Sequence, residues 1–271
     1  MIATSPIVTR SVVTRRGIEA KVHSRGSGPA VVWFHGAGGL LPEEPMLDLL
    51  AQHYTVLTPE WPGFGDEQTE TKIEDMLDFT LHGWDLIDAL DLGERPHVAG
   101  HSMGGMIAAE MAVLNPDRIG SLVLVDPLGL WLDAHPVPDI FAMLPFEMVQ
   151  VLFADQAMGE AVLTAGLDFS HDGALTTFLV RNARRLGTAG KILFPIPNRR
   201  LSKRLYRITN PTLLLWGAQD AMVPTVYGER FRELLVSTPA QLEIIEGSGH
   251  MLPYEQAERA AAAVVAFLSA S

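Results

Sequence analysis

Ser102 lies in the pattern Gly100-His101-Ser102-Met103-Gly104, which is suited to expose a hydroxyl group for chemistry. An apolar segment precedes the pattern, and a helix-forming segment, residues 106–112, follows it. A serine in a tight turn between a strand and a helix presents its side chain above the edge of the sheet. Glycines flank such a turn because a Cβ atom would clash there. The pattern therefore predicts a serine nucleophile.

A serine hydroxyl needs a base to remove its proton, and the base needs a third group to fix its tautomer. His250 is the candidate base, because it lies in a glycine-rich segment between the last predicted strand and the last predicted helix. Asp220 is the candidate acid and follows the predicted strand over residues 212–216. Asp126 also ends a predicted strand, so it stays open as an alternative acid.

The segment His35-Gly36-Ala37-Gly38-Gly39 follows a buried strand and is suited to stabilise an oxyanion. Its glycines allow a backbone N–H to turn towards the nucleophile. The predicted donors are the N–H groups of Ala37 (or Gly38) and of Met103, and His35 is expected to brace the loop. The segment lacks the glycine spacing and the lysine of nucleotide-binding loops, so no nucleotide site is predicted.

Short apolar segments alternate with amphipathic helical patterns, which is typical of βαβ units around a parallel sheet. The first two segments are expected to pair antiparallel, with a turn at Arg16 and Gly17. Helices are predicted over residues 73–90, 225–236 and 255–268. The eight predicted strands cover residues 7–14, 18–23, 30–34, 54–58, 96–99, 122–125, 212–216 and 241–245.

Residues 127–207 contain no pattern of a buried strand. This segment is rich in Met, Phe and Leu at helical spacing and is interrupted by several prolines. The sequence therefore predicts an α/β fold with a mostly parallel eight-stranded sheet flanked by helices. Residues 1–126 and 208–271 would form the core, and residues 127–207 a helical insertion after the sixth strand.

The composition excludes several kinds of site and partner. The chain of 271 residues is 48% hydrophobic, which is enough for a large core, and its formal net charge of −12 argues against nucleic acid or an anionic membrane as a partner. There are no cysteines, so disulfides, zinc–thiolate sites and iron–sulfur clusters are excluded. No metal or cofactor site is predicted, because the remaining histidines show no metal-ligand spacing: His53, His82, His97, His135 and His171.

The first residues have neither a basic region nor a long apolar segment, and no apolar run reaches the length of a membrane span. We therefore expect a cytoplasmic enzyme that acts on a small molecule. The oligomeric state stays open between monomer and homodimer.

Together these motifs resemble the α/β-hydrolase superfamily over nearly the whole chain. The resemblance implies that Ser102 is the nucleophile, Asp220 the orienting acid and His250 the base. It also implies that residues 127–207 form a cap over the site. The motifs that carry the resemblance are His-Gly-Ala-Gly-Gly at 35–39, Trp-Pro-Gly-Phe-Gly-Asp at 61–66, Gly-His-Ser-Met-Gly-Gly at 100–105, Trp-Gly-Ala-Gln-Asp at 216–220 and Gly-Ser-Gly-His at 247–250.

Three positions bear on the branch of the superfamily. Glu60 stands where many relatives carry Asp, at a position that is usually structural. His101 stands where relatives that cleave carbon–carbon bonds of vinylogous diketones typically carry Asn. Ser102 itself argues against epoxide hydrolases and haloalkane dehalogenases, which use an aspartate nucleophile.

The cap is expected to supply the substrate contacts, for which we select Trp131, Phe141 and Arg181. Arg181 lies near Arg184 and Arg185 on one predicted helix, where a guanidinium could bind a substrate carboxylate. A solvated helix face is the alternative for these arginines and for the second basic run, residues 199–204. The large apolar residues expected to pack the cap onto the core are Trp131, Phe141, Met143, Phe146, Met148 and Phe153.

The favoured function is hydrolysis of a carboxylic ester, or of a similarly activated carbonyl, in a small and largely apolar substrate. The reaction would pass through an acyl-enzyme on Ser102. Hydrolysis of a carbon–carbon bond in ring-cleavage diketones by the same triad is the alternative. A non-catalytic ligand receptor on the same fold is a third hypothesis.

Overall fold

The computed structural model describes residues 6–41, 43–65, 69–164 and 173–270, and in this part of the chain eight strands form one sheet. The strand order is β1-β2-β4-β3-β5-β6-β7-β8. β1 and β4 each pair antiparallel with β2, and the other neighbours are parallel. The strands are β1 (Val8–Val13), β2 (Glu19–Arg25), β3 (Ala30–Phe34), β4 (Thr55–Pro59), β5 (His97–His101), β6 (Leu122–Val125), β7 (Thr212–Gly217) and β8 (Ala240–Ile245).

This sheet confirms the predicted fold class, including the opening antiparallel pair. Asp66, His171 and the side chain of Phe146, all named above, lie outside the described part of the chain. The described helices are α1 (Pro45–Leu50), α2 (Met76–Leu90), α3 (Met103–Leu114), α4 (Pro145–Leu152), α5 (Gln156–Thr164), α6 (Ala174–Leu193), α7 (Val226–Leu234), α8 (Leu252–Glu255) and α9 (Ala257–Ser269).

Helices cover both faces of the sheet, because the central strands are apolar on both sides. Side chains alternate between the faces along β6, where Leu122 and Leu124 join the cluster that contains α2 and α3. Val123 and Val125 join the opposite cluster with α1 and α9. α3 is apolar all round and almost entirely buried, as expected of a helix that packs on a sheet and beneath other elements.

Two predicted helices differ in their boundaries. The helix predicted from residue 73 begins at Met76, because the Asp75 side chain accepts the N–H of Asp78 at 3.0 Å and caps the helix. The helix predicted over residues 255–268 is divided at Gln256, whose backbone (φ −132°, ψ 45°) is not helical. α1 was not predicted, and none of the described helices is both long and apolar enough to cross a membrane.

The insertion between β6 and β7 contains α4, α5 and α6, in agreement with its predicted helical character. Ion pairs fasten it to the core. Arg184 on α6 contacts Glu70 at 2.8 Å, and Lys191 donates to the carbonyl of Ile73 at 2.6 Å. Arg204 donates to the buried Glu110 on α3 through Nε at 3.0 Å. The alternative that these arginines lie on a solvated helix face was therefore wrong for Arg184 and Arg204.

Replacement of Arg204 by Met should lower the free energy of unfolding by about 2 kcal/mol or more, because it leaves Glu110 buried without its cation. Urea unfolding measures this change. Arg230→Met is the control, since Arg230 pairs with Glu233 at 2.7 Å on an exposed helix face and such pairs contribute at most about 1 kcal/mol. Equal effects of the two substitutions would contradict the buried pair.

His82 on α2 should make stability fall in acid. Burial lowers its pKa to about 4, and neither ring nitrogen has a hydrogen-bond partner among the described residues. The unfolded chain takes up a proton near pH 6.5 that folded His82 takes up only near pH 4, so stability is lost as the pH falls through this window.

The difference in the free energy of unfolding between His82→Leu and wild type should therefore be about 2 kcal/mol more favourable to His82→Leu at pH 5 than at pH 7.5. Urea unfolding at the two pH values measures the difference. His53→Leu, at an exposed position, is the matched control. An unchanged pH dependence in His82→Leu would show that His82 is not the group responsible.

Candidate active site

Ser102 lies between β5 and α3 in a strained backbone conformation, with φ 54° and ψ −116°. A Cβ atom on Gly100 would come within 2.5 Å of the Gly104 carbonyl group, and one on Gly104 within 2.1 Å of the Phe34 carbonyl oxygen. The two glycines therefore let α3 begin directly against β5 and the end of β3. This is the local reason why the Ser102 side chain stands out from the strand.

Three side chains form one hydrogen-bonded chain. Ser102 Oγ lies 2.8 Å from His250 Nε2, and His250 Nδ1 lies 2.8 Å from Asp220 Oδ2. A carboxylate only accepts, so Nδ1 carries the proton and Nε2 is left to accept the serine O–H. All three residues are buried. This is the arrangement in which an imidazole can take a proton from a serine.

The turn after β7 holds Asp220 in place. Its Oδ1 accepts the N–H groups of Met222 at 2.8 Å and Val223 at 2.7 Å. Asp126, the alternative acid, instead accepts the Gly217 N–H at 2.9 Å. The observed partner of His250 Nδ1 is therefore Asp220.

The glycine loop after β3 passes beside Ser102. A Cβ atom on Gly36 would lie 3.3 Å from the Ser102 Cβ, and Ala37 and Gly38 line the cavity next to it. Met103 is the first residue of α3, where backbone N–H groups have no acceptor within the helix. Arg185 on α6 donates to the Gly38 carbonyl at 3.0 Å. Ala37 and Gly38 thus lie on a loop beside Ser102 that the insertion contacts, and the role of these N–H groups and of the Met103 N–H as oxyanion donors stays a prediction.

His35 braces this loop, as predicted. Its Nδ1 donates to the Gly36 carbonyl at 2.8 Å, and its Nε2 accepts the Trp61 N–H at 3.3 Å. Burial lowers the pKa of His35 to about 4. The ring is therefore neutral, which suits one nitrogen that donates and one that accepts.

His101 contacts the base through a bond that the sequence did not reveal. Its Nε2 lies 2.7 Å from the main-chain oxygen of His250. Because a carbonyl only accepts, Nε2 must donate and Nδ1 carries no proton. Burial, followed by the nearby His250, lowers the pKa of His101 to about 3. His101 is a neutral donor that fixes the backbone of His250.

Glu255 on α8 was also missed. Its Oε2 accepts the Gly249 N–H at 2.7 Å, and its Oε1 accepts the N–H groups of Ala154 and Asp155 at 2.8 Å. It thereby joins the loop that carries His250 to the end of α4. In the sequence, the only sign of this role is that a glutamate follows the candidate base by five residues. Many surface glutamates occupy similar positions, so the sign is not specific.

A cavity of about 1280 Å³ opens beside Ser102 and His250. Its wall includes many apolar side chains from the insertion and the core, among them Leu128, Ile140, Met143, Met148, Val149 and Leu193. Within the described residues, no group of three or more His, Cys, Asp or Glu side chains is arranged to hold a metal ion.

One of the three predicted substrate contacts lines this cavity. Arg181 does so, but Trp131 and Phe141 are not among its described lining residues. The Trp131 indole N–H donates to Asp133 at 2.9 Å, and Phe141 packs edge-on against Phe194. The described contacts of these two aromatic side chains thus lie within the insertion, where such side chains serve internal packing, and their role as substrate contacts stays a prediction.

Comparison with known proteins agrees with this geometry. A family model described as "Alpha/beta hydrolase family" matches residues 31–265. The chain belongs to the α/β-hydrolase family. It is accordingly an enzyme of the hydrolase class.

Two curated relatives are each 30% identical to this chain. One is a 2-hydroxy-6-oxononadienedioate/2-hydroxy-6-oxononatrienedioate hydrolase of Cupriavidus pinatubonensis, matched over 94% of this chain and 88% of the relative. The other is the dihydrolipoyllysine-residue acetyltransferase component of an acetoin cleaving system of Cupriavidus necator. That match covers 89% of this chain but only 64% of the relative.

The fold is also similar to that of a solved membrane phospholipase A described as a bacterial virulence factor. The TM-score is 0.77 at 24% identity, over 97% of this chain and 86% of the other. At this identity the likeness concerns the fold alone.

His101→Gln should keep kcat/KM for p-nitrophenyl acetate within about threefold, whereas His101→Leu should lower it about tenfold. Glutamine places a donor near the position of Nε2, and leucine fills the site without one. Because neutral His101 does not titrate above about pH 4, the acid limb of the pH–rate profile should persist in His101→Gln. Equal activity of the two variants would contradict the positioning role.

Proposed function

We propose that this protein is a serine hydrolase that cleaves a carboxylic ester, or a similarly activated carbonyl, through an acyl-enzyme. Ser102 is the nucleophile, His250 the general base and Asp220 the acid that orients it. The observation that carries the proposal is the hydrogen-bonded chain from Ser102 Oγ through His250 to Asp220, which opens onto an apolar cavity.

In the first half-reaction His250 Nε2 takes the Ser102 proton as Oγ attacks the carbonyl carbon. The N–H groups of Ala37 (or Gly38) and Met103 stabilise the negative charge on the carbonyl oxygen. Asp220 stabilises the imidazolium, which then gives its proton to the leaving alcohol as the ester C–O bond breaks. Water, deprotonated by His250, attacks the acyl-enzyme and releases the acid and the free serine.

Residues 127–207 act as a cap over this site, and residues 1–126 and 208–271 form the catalytic core. Side chains from the insertion, such as Met143 and Met148, line the same cavity as Ser102. Usual ligand pockets have volumes up to about 1,000 Å³, and this cavity is larger. We therefore favour an apolar acyl group longer than acetyl.

Carbon–carbon bond hydrolysis is the second candidate, because a relative 30% identical to this chain is named as a hydrolase of 2-hydroxy-6-oxononadienedioate. Arg181 lines the cavity and provides a cation for a carboxylate. His101 favours ester hydrolysis instead. A Cβ atom on Gly36 would lie 3.2 Å from His101 Nδ1 and 3.3 Å from the Ser102 Cβ, so this unprotonated nitrogen is an acceptor beside the loop next to Ser102, whereas a dienoate carboxylate requires donors.

Labelling with a fluorophosphonate probe and a series of p-nitrophenyl esters tests the proposal. The probe should modify Ser102, and Ser102→Ala should lose both labelling and about 10³-fold or more of the ester hydrolysis rate. Ser121→Ala, at another buried serine, is the matched control. Full ester hydrolysis by Ser102→Ala would overturn the mechanism.

The same preparation distinguishes the two candidate reactions. The kcat/KM for butyrate to octanoate esters should exceed that for 2-hydroxy-6-oxo-hexa-2,4-dienoates. The opposite order, with loss of dienoate cleavage in Arg181→Met, would favour carbon–carbon bond hydrolysis.

A further inference from the structure

Asp126, which the proposed mechanism does not use, lies at the end of the strand between β5, which carries the nucleophile turn, and β7, which carries the acid. It follows β6, and its N–H donates to the Leu215 carbonyl of β7 at 3.0 Å. Its Oδ1 accepts the Gly217 N–H at 2.9 Å, at the start of the turn that leads to Asp220. The side chain is completely buried, and the backbone has a left-handed φ of 43°. Such a conformation persists only where surrounding contacts enforce it.

The surroundings of Asp126 oppose a negative charge. Burial raises the pKa of its carboxyl well above the ordinary value, and the charge of the neighbouring Asp220 raises it further. The Gly217 N–H opposes this shift, and the more distant Glu255 adds to it. His250 Nδ1 contacts Asp220 Oδ2 at 2.8 Å. Of the two neighbouring carboxyl groups, Asp220 has the hydrogen bonds of an anion, so Asp126 is the neutral one.

The position of the Asp126 proton follows from the contacts of each oxygen. Oδ1 accepts the Gly217 N–H, which leaves Oδ2 to carry the proton. Oδ2 is buried, and no N–H or O–H donor of the described residues reaches it. Asp220 interacts with this carboxyl group through its side chain. Of the Asp220 oxygens, Oδ1 accepts two N–H groups, whereas Oδ2 accepts His250 Nδ1 and retains a lone pair.

We propose that Asp126 is a positioning residue: a neutral carboxylic acid whose O–H donates to Asp220 and keeps that carboxylate directed at His250. The proposal rests on the proposed function, because it concerns how His250 is tuned to activate Ser102. Asp126 keeps its own proton throughout the catalytic cycle. The Asp126 O–H disperses part of the negative charge on Asp220, and this limits how strongly Asp220 stabilises the imidazolium.

The rate at which a fluorophosphonate labels Ser102, measured from pH 5 to pH 9, tests the proposal without a known substrate. Asp126→Asn keeps an oxygen for the Gly217 N–H and an N–H donor for Asp220, and it cannot ionise. Its labelling rate should stay within about threefold of wild type, with the same midpoint. Asp126→Leu removes the donor, so labelling should be about tenfold slower or more, with its midpoint at higher pH.

Three results would overturn the proposal. One is an Asp126→Leu variant that labels like wild type. The second is a midpoint for Asp126→Asn about half a pH unit or more below wild type, which would mean that Asp126 had been ionised. The third is a tenfold loss of the labelling rate in an Asp126→Asn variant whose thermal stability equals that of wild type. If Asp126→Leu does not fold, the Asp126→Asn profile decides alone, because an unchanged rate and midpoint support the neutral donor.

Failure of the proposed function gives a different result. Wild-type protein that is not labelled at Ser102 would remove the proposed nucleophile before any Asp126 variant is compared. Labelling of wild type with no effect of the Asp126 substitutions would leave the proposed function intact and remove only the role of Asp126.

Discussion

The structure of the site depends on one buried imidazole with both nitrogens committed. His250 donates to Asp220 and accepts from Ser102, each at 2.8 Å, and all three side chains are shielded from water. Buried polar groups are costly unless they are paired, so small displacements of any partner would be unfavourable. Ser102 follows β5, Asp220 follows β7 and His250 follows β8. They meet because parallel strands bring their carboxyl ends to one edge of the sheet.

A second set of contacts restrains the loops that carry these residues. His101 holds the His250 carbonyl, Glu255 holds the Gly249 N–H, and Asp126 holds the Gly217 N–H. None of these three side chains reaches the serine hydroxyl in the hydrogen-bonded chain. The three contacts named here are made to the backbone, and they explain how loops at the edge of the sheet hold a geometry that requires a precision of fractions of an ångström.

The insertion also contacts the loops at this edge of the sheet. Arg185 binds the Gly38 carbonyl of the loop beside Ser102, and Arg184 pairs with Glu70. α4 reaches the loop of the base through the Met251 N–H and the Leu152 carbonyl, 3.0 Å apart. The insertion lines the cavity beside Ser102 and also contacts the loops of Gly38 and His250. Substitutions that reshape its side of the cavity would therefore also alter the support of these loops.

The sequence by itself determined the sheet and the nucleophile turn, and it predicted Ser102 and His250 with Asp220 as the favoured acid. Buried parallel strands are continuous apolar runs, and the Gly-x-Ser-x-Gly turn requires its glycines for steric reasons, so both signals are local. Only the tertiary structure showed that Asp220, and not Asp126, contacts His250, and only the tertiary structure gave His101 and Glu255 their partners. Those outcomes depend on contacts between residues far apart in the chain, such as His101 and His250, which neither composition nor spacing encodes.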